Sequence, residues 1–281
     1  MSNSALAGWI GKTRSTRDQI TAEQINKIAA TFDCPAPPSD NGAYLPPGWH
    51  WAFFAEITSI SGIGRDGHQA LGEFLPPITL PRRMWASGDL QIGKPLTVGE
   101  TVEKTSTILA VEEKSARSGK LVFVRVGHQF NGDKGGDMHE EHAIVYREAP
   151  APGATAPAPV MPALKATISH TMKASTVQLF RYSAITFNSH RIHYDVDFCR
   201  DEEGYDGLII HGPLTATLLM DLAQKQAPGK RLKRFTFRTV SPLTHAHEFS
   251  LHATKPDGEN ISLWACNHRG ELAMMAEAQL D

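Results

Sequence analysis

Pro213-Leu214-Thr215-Ala216-Thr217-Leu218-Leu219-Met220-Asp221-Leu222-Ala223 is the stretch that decides the fold. Leu214, Leu218, Leu219 and Leu222 recur at helical spacing, and Pro213 suits a first helical turn, where its missing N–H costs nothing. A helix that is apolar all round belongs inside a core. Downstream the period changes. Phe249–Thr254 and, after the turn Pro256-Asp257-Gly258, Ile261–His268 alternate with period two, the pattern of an antiparallel hairpin.

The same unit occurs earlier in the chain. Pro242-Leu243-Thr244, which precedes the hairpin, repeats Pro95-Leu96-Thr97. After the first copy come Thr101–Val111, a turn over Lys114–Lys120, and Leu121–Phe130. Before it lies Trp49–Ile57, introduced by Pro46-Pro47-Gly48 and carrying Trp49, Trp51, Phe53 and Phe54; we expect a second buried helix there. The expected fold is therefore α+β, a double hotdog: two curved antiparallel sheets, each wrapping a central helix. Glu148–Ala163 is rich in proline and alanine and reads as a linker. It divides the chain into 1–147, a linker 148–163, and 164–281. A further helix is expected at Ala22–Phe32, with Thr21 and Gln24 in capping-box positions. Ser59–Pro81 is inserted only in the first half and is rich in glycine; we expect it to cover a substrate groove.

Charge and composition narrow the function classes. A net charge of −2 argues against a nucleic-acid binder. No apolar run is long enough for a membrane span, and Met1–Gly11 lacks a signal-peptide core. Three widely spaced cysteines, Cys34, Cys199 and Cys266, fit a reducing compartment, so a cytoplasmic protein is expected.

Chemistry concentrates in Thr186–Asp195 and in His211-Gly212. His193 is the candidate acid/base, because an imidazole can take a proton from water and return it to carbon. Asn188 can hydrogen-bond but cannot shuttle a proton, so it is expected to orient. Gly212 heads the apolar helix, where its N–H sits at the positive end of the helix dipole and can stabilise an oxyanion. His211 shapes that turn. Other histidine groupings, His139-Glu140-Glu141-His142 in an expected turn, His190/His193 and His245/His247, lack the pattern of a known zinc site, and no metal is expected. Lys230–Arg234 and the pair Arg82-Arg83 are solvated surface or contacts to a phosphorylated ligand.

These residues resemble the MaoC-like hydratases and dehydratases, which carry Asp-x-Asn-Pro-x-His followed by His-Gly. The resemblance places the family histidine on His193 and the oxyanion glycine on Gly212. Asn188 stands at the aspartate position, His190 at the asparagine and Arg191 at the proline. Trp9-Ile10-Gly11, Leu45–Trp51, Arg82–Gly88 and Thr186–Asp195 resemble a narrower group, the mesaconyl-CoA (C4 thioester) and itaconyl-CoA hydratases, and the mitochondrial 3-hydroxyacyl-thioester dehydratases share part of the pattern. The resemblance implies hydration of an α,β-unsaturated acyl-CoA with no cofactor. His193, Asn188 and Gly212 carry catalysis, and Arg191, His211, Arg83 and Arg234 are the expected substrate contacts. The resemblance also implies that the first half binds ligand without catalysing; consistent with that, no Asn/Asp-x4-His precedes Trp49. A fatty 3-hydroxyacyl dehydratase, a non-catalytic acyl-CoA-binding module and a thioesterase are the alternatives. A homodimer is the expected assembly.

Overall fold

The structure is a computed structural model that describes residues 5–116, 119–149 and 158–281. Residues 117–118 of the expected Lys114–Lys120 turn and 150–157 of the expected linker lie outside the described residues. The order is β1 (Thr13–Gln19), α1 (Ala22–Phe32), β2 (Arg82–Lys94), β3 (Thr101–Ala116), β4 (Gly119–Gly132) and β5 (Asp137–Arg147). Then come β6 (Ile168–Met172), α2 (Thr176–Ile185), α3 (Gly212–Gln226), β7 (Leu232–Thr239), β8 (Phe249–Ala253), β9 (Asn260–Asn267) and β10 (Leu272–Leu280).

All ten strands form one sheet in the order β1-β3-β4-β5-β2-β7-β10-β9-β8-β6. The order is a palindrome of two five-stranded units that meet where β2 pairs antiparallel with β7, from Ser87↔Arg238 to Gln91↔Arg234. This is the double-hotdog layout. The recurring Pro-Leu-Thr triplets occupy equivalent places. Leu45 N donates to Leu96 O and Ile210 N to Leu243 O, each at 2.8 Å, while Tyr44 bridges Thr97 and Ile209 bridges Thr244. By the same equivalence Pro46-Pro47 is the counterpart of His211-Gly212. The short helices repeat the symmetry. α1 is capped by Thr21 and α2 by Ser175, and each carries a glutamine three residues after its cap. Gln24 donates to Ile185 O at 2.9 Å and Gln178 to Thr31 O at 3.2 Å, so each helix satisfies carbonyls at the end of the other.

α3 is the central helix of the second unit. Leu214, Ala216, Leu219, Met220 and Ala223 are at most 1% exposed, which is worth roughly 1.5–3 kcal/mol for each large side chain. The first unit departs from expectation. Trp49–Ala52 is a single 3-10 turn, and the chain then runs irregularly to β2, with Phe54 at φ 57° and Ile57 and Ile60 exposed. The apolar residues 49, 51 and 53 alternate with period two, so they could not form one helical stripe. Trp49, Phe53 and Phe54 are buried, but from a loop. Where α3 fills the second sheet, the first sheet is left with space.

His139-Glu140-Glu141-His142 also departs from expectation. It lies on β5 and not in a turn: Met138, Glu140 and Tyr146 are buried along one face of the strand. Charged residues at the core-facing positions hid the alternation.

Candidate functional site

The space left by the missing helix is a cavity of about 1020 Å³ between the two units. Its walls include Phe54, Phe74, Trp85 and Ile144 from the first unit, and Asn188, His193 and Gly212 from the second. The inserted segment contributes Ile63, His68, Leu71 and Leu75, so it does lie over the groove.

The segment carrying His193 leaves α2 through a tight cap. Phe187 adopts φ 51°, its N–H donates to Ala184 O at 3.3 Å, and Asn188 N donates to Ser183 O at 2.8 Å. That is a Schellman closure with phenylalanine where glycine is usual, a strained residue beside the site. Asn188 Oδ1 then accepts from His190 N at 3.0 Å and turns the chain into a 3-10 turn over Arg191–His193. Ile209 N donates to Ile192 O, and His193 Nδ1 donates to Ile209 O, both at 2.8 Å. The tautomer follows: Nδ1 carries the proton and Nε2 is left as an acceptor. Burial, which disfavours the imidazolium, brings the His193 pKa down to about 4, partly countered by the Ile209 bond.

His211 backs this imidazole. The two rings stack with centroids 3.6 Å apart and planes 18° from parallel. His211 is fully buried, hydrogen-bonds Ser183 Oγ through Nε2 at 2.8 Å and packs on Tyr182. Burial, with His193 beside it, holds His211 well below the ordinary imidazole range, so a neutral platform lies under His193. It does not line the cavity itself.

Gly212 opens α3. The next residue, Pro213, has no N–H, and Thr215 N is bonded to His211 O, so few donors compete at this helix end. A Cβ on Gly212 would stand 2.9 Å from Trp85 Cε3, which makes glycine the residue that lets the indole close the cavity here.

The expected substrate contacts divide. Arg83 lines the cavity, and among the described residues no carboxylate lies within ion-pair distance of it. Arg191 does not reach the cavity: it holds Asp195 Oδ2 at 2.7 and 3.0 Å and covers the Phe198 ring. Arg234 is on the surface, bidentate to Asp89 at 2.6 and 2.9 Å across the seam between units. Both are consumed by neighbouring carboxylates, which sequence spacing could not reveal.

Sequence reasoning named members of two clusters but not their assembly. Asp66 and His68, from the inserted segment, meet His190. Asp66 Oδ2 accepts from His68 Nδ1 at 2.9 Å, and the His68 and His190 rings are 4.0 Å apart. Across the cavity Glu140 is 1% exposed. It accepts from His50 Nε2 at 2.9 Å and Trp51 Nε1 at 3.0 Å, and His142 Nε2 lies 3.2 Å away, out of line for a hydrogen bond. Burial alone would raise the Glu140 pKa, but His142 and His50 hold it well below the carboxylate range. In each cluster three donor atoms have metal-compatible spacing: Asp66, His68 and His190, and His128, Glu140 and His142. Asp66 has both oxygens on His68, and Glu140 has Oε2 on His50 and Trp51 with Oε1 unpartnered among the described residues; we assign no metal to either cluster. Sequence spacing named His190 and the His139–His142 run, while for Asp66 and His68 the Asp-x-His spacing was the only signal.

The chain is 40% identical over 283 residues to mesaconyl-C(4)-CoA hydratase of Chloroflexus aurantiacus, covering 100% of this chain and 99% of that one. It is 26% identical over 259 residues to the mitochondrial hydroxyacyl-thioester dehydratase type 2 of Schizosaccharomyces pombe, covering 80% of this chain and 85% of the relative. A solved MaoC-like dehydratase superposes with a TM-score of 0.67 over 98% of this chain and 99% of its own, at 14% identity, a likeness of fold. The profile of the hydroxyacyl-thioester dehydratase type 2 family matches residues 48–245, and the chain belongs to that family.

Proposed function

We propose that the protein catalyses reversible hydration of an α,β-unsaturated acyl-CoA, with a short branched dicarboxylic thioester as substrate: mesaconyl-CoA or itaconyl-CoA, giving citramalyl-CoA. The observation that carries the reaction class is that His193, with only Nε2 free, and the head of α3 face one cavity. Nε2 takes a proton from water as the oxygen bonds the β-carbon. The π electrons move toward the thioester oxygen, which Gly212 N–H receives at the helix terminus. The enolate collapses and the α-carbon takes the proton back from His193 on the same side. Asn188 keeps the turn that aims His193 and presents its amide to the cavity.

Arg83 supports the dicarboxylic substrate. A cavity-lining guanidinium with no carboxylate partner among the described residues suits the free carboxylate that such a thioester retains. The full-length similarity to the Chloroflexus enzyme points the same way. The apolar walls formed by Phe54, Phe74 and Leu75 favour the second reading, a 3-hydroxyacyl-thioester dehydratase of fatty chains. In either case the second unit supplies His193 and Gly212, and the first walls the binding space. Three free cysteines support a cytoplasmic location. Among the described residues no helix is long and apolar enough to cross a membrane. Exposed Val177 and Phe180 on α2 support a homodimer.

The test compares turnover of mesaconyl-C4-CoA, itaconyl-CoA, crotonyl-CoA and a long-chain 3-hydroxyacyl-CoA. The dicarboxylic thioesters are expected to lead, and His193→Ala to lose on the order of 10²–10⁴-fold in kcat. A His193→Ala enzyme with near-normal turnover removes the assignment. Arg83→Leu is expected to raise KM for the dicarboxylic thioesters and leave crotonyl-CoA little changed.

A further inference from the structure

The His193 segment is completed by the other unit. The inserted segment Ser59–Pro81 docks on it through the backbone. Arg191 N donates to Asp66 O at 2.8 Å, and Ser189 Oγ donates to Gly67 O at 2.5 Å. Gly67 sits at φ 91°, and a Cβ there would collide with the Ser189 carbonyl, so only glycine permits the approach. These contacts set His68 into the cavity wall with its ring on His190, and His190 in turn stands edge-on to His193 with centroids 5.5 Å apart.

His68 is prepared as His193 is. Asp66 Oδ2 holds its Nδ1–H, and Asp66 Oδ1 accepts from His68 N at 3.1 Å. The carboxylate fixes the tautomer and leaves Nε2 as an acceptor. Asn188 is less suited to this part, because its Oδ1 already gives one of its two lone pairs to His190 N and the remaining amide group is a donor. A water that must lose a proton and turn a lone pair to carbon needs acceptors on its hydrogens.

We propose that His68 is a second catalytic residue, the acceptor for the other hydrogen of the reacting water, and that Asp66 positions it. The proposal rests on the hydration reading above. The water donates one hydrogen bond to His193 and one to His68. As its oxygen bonds the β-carbon, the proton facing His193 passes to Nε2, and the proton facing His68 stays on oxygen as the product hydroxyl. The transferred proton then goes to the α-carbon. One O–H bond and the C=C π bond break; one C–O and one C–H bond form; His68 is unchanged. In dehydration His68 holds the departing hydroxyl by the same bond. The first unit thereby supplies, through Asp66, the carboxylate that position 188 lacks.

The experiment measures kcat and KM of the full chain on its best acyl-CoA for wild type, His193→Ala, His68→Ala and Asp66→Asn. His68→Ala is expected to lose about 10²-fold or more in kcat with KM within threefold, since it removes an orienting contact made by the reacting oxygen. Asp66→Asn keeps the bond to His68 N, but its amide donates into Nδ1, moves the ring proton to Nε2 and turns the acceptor into a donor. A comparable kcat loss at unchanged KM is expected. Either variant keeping kcat within threefold of wild type overturns the proposal. So does a loss matched by a parallel rise in KM, which marks a segment that only builds the binding wall. Impaired His193→Ala with normal His68→Ala removes this inference alone, whereas a wild type inactive on every thioester tested removes the reaction and the inference together.

Discussion

His193 and His211 form the centre of the candidate site at the scale of residues. Two buried imidazoles 3.6 Å apart cannot both carry charge, and burial already favours the neutral forms. A base must be neutral to act. Its pKa of about 4 therefore keeps His193, as the proposed base, in the neutral form well below the ordinary histidine range. The acid limb of kcat/KM is expected near pH 4 to 5, and a limb at 6.5 or above in a pH–rate profile contradicts the assignment of His193 as base. Asn188→Asp gives the same argument a sign. A carboxylate beside His190 and His193 favours their protonated forms, so the limb moves to higher pH. An unmoved limb means that position 188 does not sense the base. Sequence alone named His193, Asn188 and Gly212, because each is part of a local pattern. It also named Arg191 and Arg234, whose partners Asp195 and Asp89 the spacing did not expose.

At the scale of elements, α3 was legible from an apolar run with a proline at its start, and β3, β4, β8 and β9 from alternation. β1 was not: Thr13–Gln19 is an edge strand with no buried residue, and its polar sequence carries no period of two in hydrophobicity. α2 was missed because Val177 and Phe180 are exposed and break the apolar stripe, although Ser175 and Gln178 form the same cap signal as in α1. The glycine-rich composition of the inserted segment points to a cover, but its docking depends on contacts to the distant Ser189–Arg191 turn. Gly67→Ala tests that docking. The positive φ and the collision with Ser189 cost on the order of 1–3 kcal/mol locally, so the segment is expected to lift from Ser189 while the sheet stays intact. Limited proteolysis within 59–81 should accelerate and kcat should fall tenfold or more; unchanged proteolysis and unchanged kcat contradict it.

For the whole molecule, the candidate site is a cavity between two units of one sheet, with His193 and Gly212 on one side and Arg83 and His68 on the other. Burial keeps several histidines neutral here: His68, His128, His190 and His193 in the cavity wall and His211 behind His193 all have lowered pKa values. In the unfolded chain each returns to about 6.5. Their contribution is full above that pH and is lost as the pH falls toward the depressed folded values, because the unfolded state then takes up protons that the native state refuses. His193 alone, with its folded value of about 4, accounts for about 3 kcal/mol lost between pH 6.5 and 4. Urea midpoints should therefore drop markedly from pH 7.5 to pH 5; equal midpoints contradict the neutral-histidine cavity.

The sequence by itself determined the duplication, through the recurring Pro-Leu-Thr, the buried α3, the alternating strands and the Asn188–His193 and Gly212 pair. Each of these is written in residues a few positions apart, where helix and strand periods act. Only the tertiary structure decided that the first unit lacks its central helix, that Glu140 is buried on a strand and that His68 and Asp66 join His190 and His193. Those outcomes depend on contacts between segments distant in the chain. Burial and hydrogen bonding between such segments overrule local preference and leave no period in the sequence to read.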